Sequence, residues 1–461
     1  MPTPLLLLSD FAAWLLFLAA LAYAFTASRR EHLRAPWRRV RQQPVAMVAA
    51  VILLAHVGIT LLDSLHFAPQ AANGTEAEPE PLSVLDFVLT PLRTGVETSY
   101  SAPFALLGFD RESVLQADGR AVREYPRLRY GGAHLRDPAQ WWLDILQRGA
   151  IGAGAGALAG VLLLRLLWSA QCRPWRRCDE DPAGRAAALT LLLLCVLAGL
   201  GGALATRYHV FGTDKVGMDV LYQSVKSVRT GLLIGTLTTL VTLPFALVLG
   251  VAAGYYRGRV DDLVQYGYTT LASIPGVLLV AASALLLDGL MTRHQDAFSS
   301  LIVRADLRLL ALCVILGITS WTGLCRLLRA EALKLRESDF VRAAEALGVR
   351  GPRILWRHLL PNVMHIVIIA TVLDFSGLVL AEAALTYINI GVDPGMESWG
   401  NMINAARMEL ARQPAVWWCL SAAMLWMFVL VLAANLFADA VREAFDPRTR
   451  EATPSARPAG T

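Results

Sequence analysis

Apolar residues run along this chain in long blocks rather than in short amphipathic stripes. Crossing the hydrocarbon core of a bilayer takes roughly 20 mostly apolar residues in an α-helix. Nine stretches reach that scale: Leu5–Phe25, Val45–Leu65, Gly149–Trp168, Ala187–Ala205, Gly231–Tyr255, Val264–Leu287, Leu309–Leu327, Val363–Leu385 and Val416–Phe437. Lipid offers the backbone no hydrogen-bond partners, so each stretch is expected to be helical. The pattern predicts an all-α integral membrane protein with about nine transmembrane helices. No period of 20–50 residues recurs, which excludes a solenoid.

Composition agrees. The 461 residues are 55% hydrophobic and only 17% charged, against about 25% charged in soluble domains. The net charge of +5 comes from arginines clustered in a few short loops. That clustering reads as topology, not as nucleic-acid binding. Arg29, Arg30, Arg34, Arg38, Arg39 and Arg41 follow the first stretch, and Arg173, Arg176, Arg177 and Arg185 follow the third. A larger set, Arg326 to Arg357, follows the seventh. These loops alternate, so all three are expected on the cytoplasmic side, with the N-terminus outside and the C-terminus inside. No basic residues precede the first apolar stretch, which favours a retained span over a cleaved signal.

The segment from His66 to Arg148 then lies outside. Asn73, Gly74 and the run Glu76 to Pro81 resemble a linker, while Tyr125, Tyr130, Trp141 and Trp142 offer an apolar face. Both a small folded domain and a loop on the membrane surface fit. Asn73-Gly74-Thr75 matches a glycosylation acceptor too short to carry weight. Of the six cysteines, Cys195, Cys313, Cys325 and Cys419 lie in or beside apolar stretches as small hydrophobes. Cys172 and Cys178 lack further ligands nearby, so neither a metal site nor a disulfide framework is implied.

The chemically informative stretch is Glu337 to Asn362, ESDFVRAAEALGVRGPRILWRHLLPN. It lies in a cytoplasmic loop yet reads as two short helices. Ser338 suits an N-cap. Phe340, Val341, Ala344 and Leu347 follow at helical spacing, and Gly348 suits the left-handed position that ends a helix. Pro352 fits the first turn of a second helix. Ile354, Leu355 and His358 give that helix a face, and Pro361 leads into the next span. Such a pair is suited either to docking in a groove of a soluble partner or to lying on the membrane surface.

The stretch resembles the EAA coupling loop of ABC importer permeases. Arg342, Ala343 and Ala344 fill its opening, Gly348 follows at the family spacing, and His358, Leu359, Leu360 and Pro361 close it. Arg342 in place of glutamate, and His358 at an apolar place, are similar to the dipeptide/oligopeptide branch. HVFGTDKVGMDV, residues 209–220, resembles an outer segment of that branch containing Gly212, Thr213, Asp214 and Asp219, with Met218 where the family has arginine. Glu382, the run Ser398-Trp399-Gly400-Asn401-Met402, and Asp446-Pro447-Arg448 match further family positions in order.

The resemblance covers roughly Ala187 to Arg450. It implies a six-helix permease core at 187–450, after a three-helix extension at 1–186 and before a tail at 451–461. It further implies a transport subunit of the bacterial inner membrane that is not itself an enzyme. Its partners would be ATPase subunits that bind ATP and Mg, a second permease core (identical or homologous) and an outer substrate-binding protein. The chain has no phosphate-cradling Gly-x-x-x-x-Gly-Lys-Ser/Thr loop of its own.

Ionisable residues inside spans are functional candidates by default. Asp374 and Glu382, eight residues apart, are the two pathway candidates. Asp10, His56, Asp63 and Arg165 are expected to snorkel from span ends. Gly235, Gly250, Gly254, Gly276 and Gly317 are expected to allow close helix contact. A secondary transporter would show paired broken helices, and a membrane hydrolase a nucleophile or metal motif; neither pattern is present.

Overall fold

A computed structural model describes residues 3–5, 7–29, 31–68, 81–115, 121–169, 182–293 and 300–445. Cys172, Cys178, the Asn73 acceptor, Asp446-Pro447-Arg448 and the tail lie outside the described residues. The chain is helical nearly throughout. Helices α1 (Leu8–Arg29), α2 (Glu31–Gln42) and α3 (Pro44–Asp63) open it. The short α4 (Val84–Val88) and α5 (Thr90–Thr94) follow, then α6 (Trp141–Ser169) and α7 (Pro182–Ala205). After them come α8 (Val220–Tyr256), α9 (Gly258–Ser273), α10 (Gly276–Arg293) and α11 (Leu301–Arg336). The chain continues with α12 (Asp339–Ala346), α13 (Gly351–Ile354), α14 (Leu360–Tyr387), α15 (Trp399–Ala406) and α16 (Trp418–Phe445).

Eight helices among the described residues are long and apolar enough to cross a membrane. The expected ninth stretch, Leu309–Leu327, lies within α11, which is not among the eight; there Leu309, Leu312, Leu316 and Leu324 are buried inside the protein. A second stretch is also corrected. Val264–Leu287 is not a single span but the end of α9 and most of α10. Pro275 causes the break: the residue before a proline is pushed out of the helical region, and Ile274 is extended.

The described chain forms two compact units. The first comprises Met1–Leu18, Met47–Leu233 and Glu382–Ala433. Within it α6 and α7 pack as a tight hairpin. A methyl group built on Gly160 would stand 2.9 Å from Leu192, and Gly152 and Gly156 lie equally close to the backbone at Gly199 and Cys195. This spacing of three glycines is the small-residue device of lipid-embedded helix pairs. Strands β1 (Thr3–Leu5), β2 (His66–Ala68) and β3 (Leu82–Ser83) form a small antiparallel sheet, with Pro4 opposite Phe67 and Phe67 opposite Leu82. Strands β4 (Glu112–Leu115) and β5 (Ala121–Glu124) form a hairpin in the segment between α3 and α6.

The snorkelling expectation fails for Asp10, His56 and Asp63, all of which are buried. Arg165 is exposed, as snorkelling requires. The buried acids are held by cations of α8. Arg229 Nη2 donates to Asp10 Oδ1 at 2.7 Å, while His66 Nδ1 lies 2.8 Å from Asp10 Oδ2. Lys226 Nζ stands 2.8 Å from Asp86 Oδ1 and 3.7 Å from Asp63 Oδ1, and the Ser83 hydroxyl donates to Asp63 at 2.7 Å. These pairs tie α1, α3 and the outer segment to α8.

The second unit comprises Ala19–Ala46, Ile234–Ala381 and Ala434–Thr461. Its apolar core gathers Ala246, Val251 and Ala253 of α8, Trp321, Leu324 and Leu328 of α11, and Val363 and Val367 of α14. Gly250 and Gly254 of α8 lie against Cys325 and Ala332 of α11, Gly317 against Val241, and Gly235 against Phe375. A methyl group built on Gly276 would meet no atom within 4 Å among the described residues, so no close helix contact depends on this glycine. The basic α2 lays Val40 and Trp37 on Phe437, Ala440, Val441 and Ala444 of α16, with Arg34, Arg38 and Arg41 exposed.

Removing one partner of a buried ion pair strands the other charge, which costs about 3–5 kcal/mol. Asp10→Ala, which leaves Arg229 uncompensated, is expected to lower the unfolding free energy by about that amount. Thermal unfolding in detergent measures it, with exposed Arg165→Ala expected within about 0.5 kcal/mol of the parent.

Candidate functional site

Two constellations carry the residues singled out from the sequence. The first is the loop between α11 and α14. Ser338 has the extended backbone of an N-cap, but its hydroxyl bonds back to the Leu335 carbonyl and caps nothing. Helix α12 ends as expected. Gly348 is left-handed at φ 75°, its N–H donates to the Glu345 carbonyl at 2.9 Å, and the Val349 N–H reaches back to Ala344 at 3.1 Å. These two bonds form a Schellman cap.

The second helix is not a separate peg. Helix α13 passes through a π-turn at Leu355–Leu359 directly into α14. Pro361 lies just inside α14. It has no N–H to bond the carbonyl four residues back and its ring crowds that carbonyl, which accounts for the widened turn.

The apolar residues of the loop divide in two. Val341, Ala344, Ile354 and Leu359 are buried in the core of the second unit. Phe340 faces outward, as do Leu347 at 84% exposure and Trp356 at 69%. Arg342 and Ala343 are exposed; His358 and Leu360 are both half-buried at the start of the span. Glu337 bridges Arg342 at 2.5 Å and Arg257 at 2.7 Å. Its hydrogen bond to Arg342, then that to Arg257, holds its carboxyl below the usual range. Trp356 carried no signal in the sequence beyond being an aromatic residue among basic ones.

The second constellation lies in the first unit, where residues 209–219, ahead of α8, meet the segment between α3 and α6. Asp219 caps α8: its Oδ1 accepts the Leu221 N–H at 2.8 Å and the Tyr222 N–H at 3.2 Å. Its Oδ2 lies 2.8 Å from His209 Nδ1. The far ring nitrogen of His209 faces Glu97 at 3.4 Å. Glu97 accepts backbone N–H groups from Arg129 at 2.8 Å, Tyr130 at 2.8 Å and Gly131 at 3.1 Å. Glu97 carries no signal in the sequence, because most of its partners are backbone groups.

Thr213 Oγ1 accepts the Ser101 N–H at 2.7 Å and donates to the Ser99 carbonyl at 2.8 Å, and its own carbonyl accepts Trp418 Nε1 at 3.0 Å. Gly212 is left-handed at φ 73° beneath the Trp418 ring, which a methyl group would meet at 3.0 Å. Asp214 Oδ1 accepts the Val216 N–H at 3.0 Å and the Met218 N–H at 2.8 Å, while Gln223 donates to Oδ2 at 2.8 Å. Those amides satisfy Asp214 in the absence of an arginine at Met218.

Glu382 belongs to the same unit. It is 1% exposed and accepts the Thr386 hydroxyl at 2.9 Å. Gly400 packs on it, and next to Gly400 the buried Trp399 donates to the Ser224 carbonyl at 3.1 Å. Asn401 Nδ2 ties the preceding loop through the Asp393 carbonyl at 2.9 Å and the Met396 carbonyl at 2.8 Å. Asp374 lies apart from this, in the second unit, on a cavity between α8, α11 and α14. No group of three or more histidine, cysteine or acidic side chains among the described residues is arranged to hold a metal.

Residues 246–451, which contain the whole loop, match the family described as binding-protein-dependent transport system inner membrane component. The chain is 31% identical over 248 residues to a putative peptide permease protein of Brucella suis, covering 52% of this chain and 73% of that protein. The chain belongs to this family. The di/tripeptide transport system permease DppC of Pseudomonas aeruginosa is 30% identical over 299 residues, covering 64% of this chain and 89% of the relative. The dipeptide transport system permease DppC of Lactococcus lactis is 32% identical over 243 residues, covering 53% of this chain and 65% of the relative. This chain is therefore a dipeptide/oligopeptide-type ABC permease, a multi-pass protein of the inner membrane.

The His209 cluster makes this permease sensitive to pH. Burial by itself lowers the histidine, but Asp219 and then Glu97 outweigh it and raise the ring to about 9 from 6.5. Burial by itself raises Glu97, but His209 and the three amides bring it down to about 2 from 4.5. The histidine's contribution to stability is complete below pH 6.5 and is lost as pH rises through about 9. The contribution of Glu97 is complete above pH 4.5 and is lost as pH falls through about 2. Thermal melting is expected to be highest between these limits, and His209→Gln to abolish the decline on the alkaline side.

Proposed function

We propose that this chain is the transmembrane permease subunit of an ATP-driven importer of di- or oligopeptides. The N-terminus lies outside and the C-terminus in the cytoplasm. A second permease core, identical or homologous, completes the pathway, and an outer substrate-binding protein delivers the cargo. Partner ATPase subunits bind ATP and Mg; this chain supplies the groups that dock them and the helices that move.

The observation that carries the reading is the two-sided loop. Val341, Ala344, Ile354 and Leu359 root it in the core of the second unit. Phe340, Leu347 and Trp356 project from the same short segment. A tryptophan buried in a partner's groove is a usual form of an energetic hot spot. The Glu337 bridges to Arg342 and Arg257 fix the entry to α12. The continuous run from α13 into α14 makes the peg an extension of a membrane-spanning helix. Closure of the ATPases therefore reaches the spans as a rigid-body movement, without slack. Arg342, Ala343, Gly348, His358, Leu360 and Pro361 shape this peg, and Asp374 is the acid of the pathway. Glu382 acts through the outer segment it braces.

Co-purification of ATPase activity from membranes tests the reading. Gly348→Pro breaks the cap, and Leu347→Glu with Trp356→Glu charges the projecting surface without touching the anchor. Both variants are expected to insert normally and to lose the ATPase by about 2 kcal/mol or more, roughly thirtyfold in affinity. Full retention by both overturns the docking role.

A further inference from the structure

The cavity beside Asp374 has about 310 Å³ of space and is lined by Thr239, Thr242, Ser320, Thr371 and Asp374, with apolar side chains completing the wall. Asp374 comes 14 residues after the start of α14 and 13 before its end. At 1.5 Å per residue that is about 20 Å from either end, close to the middle of the span. A carboxylate at that depth is costly and is retained where it meets a partner or an aqueous path. Asp374 has neither a hydrogen bond nor an ion pair among the described residues.

Two of the hydroxyls around it have already committed their hydrogens. Thr239 Oγ1 donates to the Gly235 carbonyl at 2.7 Å, and Thr242 Oγ1 donates to the Thr238 carbonyl at 2.9 Å. Each hydroxyl has one hydrogen and two lone pairs, so what these two threonines have left to offer is lone pairs. The buried Thr371 Oγ1 has no hydrogen-bond partner among the described residues, so its lone pairs are unused. No lysine, arginine or histidine lines the cavity. The wall thus sets unused hydroxyl lone pairs beside one acid with no cation to balance it, and the group that matches it is a cation carrying several donors.

We infer that Asp374, with Thr239, Thr242 and Thr371, forms a subsite within the membrane for a primary ammonium group. That ammonium has three donors and no acceptor, the complement of this wall. Its source in a peptide is the α-amino group or a lysine side chain. The assignment of peptide cargo rests on the proposed function; the cation subsite follows from the cavity alone.

The test measures equilibrium binding to the purified permease complex, without binding protein, of four probes: dialanine, N-acetyl-dialanine, N-acetyl-lysine amide and methylammonium. Dialanine is expected to bind at least roughly tenfold more tightly than its acetylated form, the scale of a charge-assisted hydrogen bond. Asp374→Asn, which keeps the shape, should erase that difference, and Asp374→Glu should restore part of it. Binding of N-acetyl-lysine amide but not of dialanine makes the side-chain amine the ligand. Binding of methylammonium without any peptide keeps the subsite and overturns the peptide reading. Equal binding of dialanine and its acetylated form, discrimination that survives Asp374→Asn, or no binding of any probe overturns the subsite.

Discussion

A charge inside a membrane protein must be compensated, and most of this structure follows from how each one is. Moving an ion out of water costs several kcal/mol even after relaxation, so a buried acid without a partner is not tolerated by default. Helix α8 enters with Lys226 and Arg229 near its start, and the acids Asp86, Asp63 and Asp10 gather on them. His209 is clasped by Asp219 and Glu97 in the same way. These pairs join the N-terminal helices and the outer segment to the motif that precedes α8. The first two spans, α1 and α3, are in that sense tied to α8 by electrostatics.

The same constraint separates the two acids of α14. Both read alike in the sequence, eight residues apart on one apolar helix. Glu382 is sealed against Thr386 and Gly400, where it braces the start of α15, which carries Trp399. Asp374 opens on a cavity whose polar lining is hydroxyls, with no cation among them. Burial with a donor makes a brace, whereas a carboxylate facing a cavity without a cation suits a positively charged ligand. Spacing on a helical wheel cannot distinguish these cases, because it reports the direction of a side chain and not what stands opposite.

Legibility of the rest follows a similar divide. Local backbone chemistry was readable: Gly348 ends α12 in the left-handed conformation, and Pro352 opens α13. Long apolar stretches were readable as spans. What spacing could not give was the inward side of α12, where Val341 and Ala344 turn in while Phe340 and Leu347 turn out. A four-residue apolar cluster is compatible with either choice until the core is present. Pro275 is visible in the sequence, but a long hydropathy window averages across one proline. Glu97 was invisible because three amides from another part of the chain hold it.

The π-turn at Leu355–Leu359 links these themes. A proline at Pro361 in a plain α-helix would leave a carbonyl without its donor and in collision with the ring. Widening the turn relieves the clash. It also inserts an extra residue into one turn and so shifts the side-chain register ahead of the span. Leu359 then points into the core while Trp356, three residues earlier, stays in the open. A residue pair three apart on an undistorted helix shares a face; here the pair is split between anchor and surface. The irregularity forced by one proline is thus what allows a single continuous helix to be rooted in the second unit and still present an aromatic side chain outward.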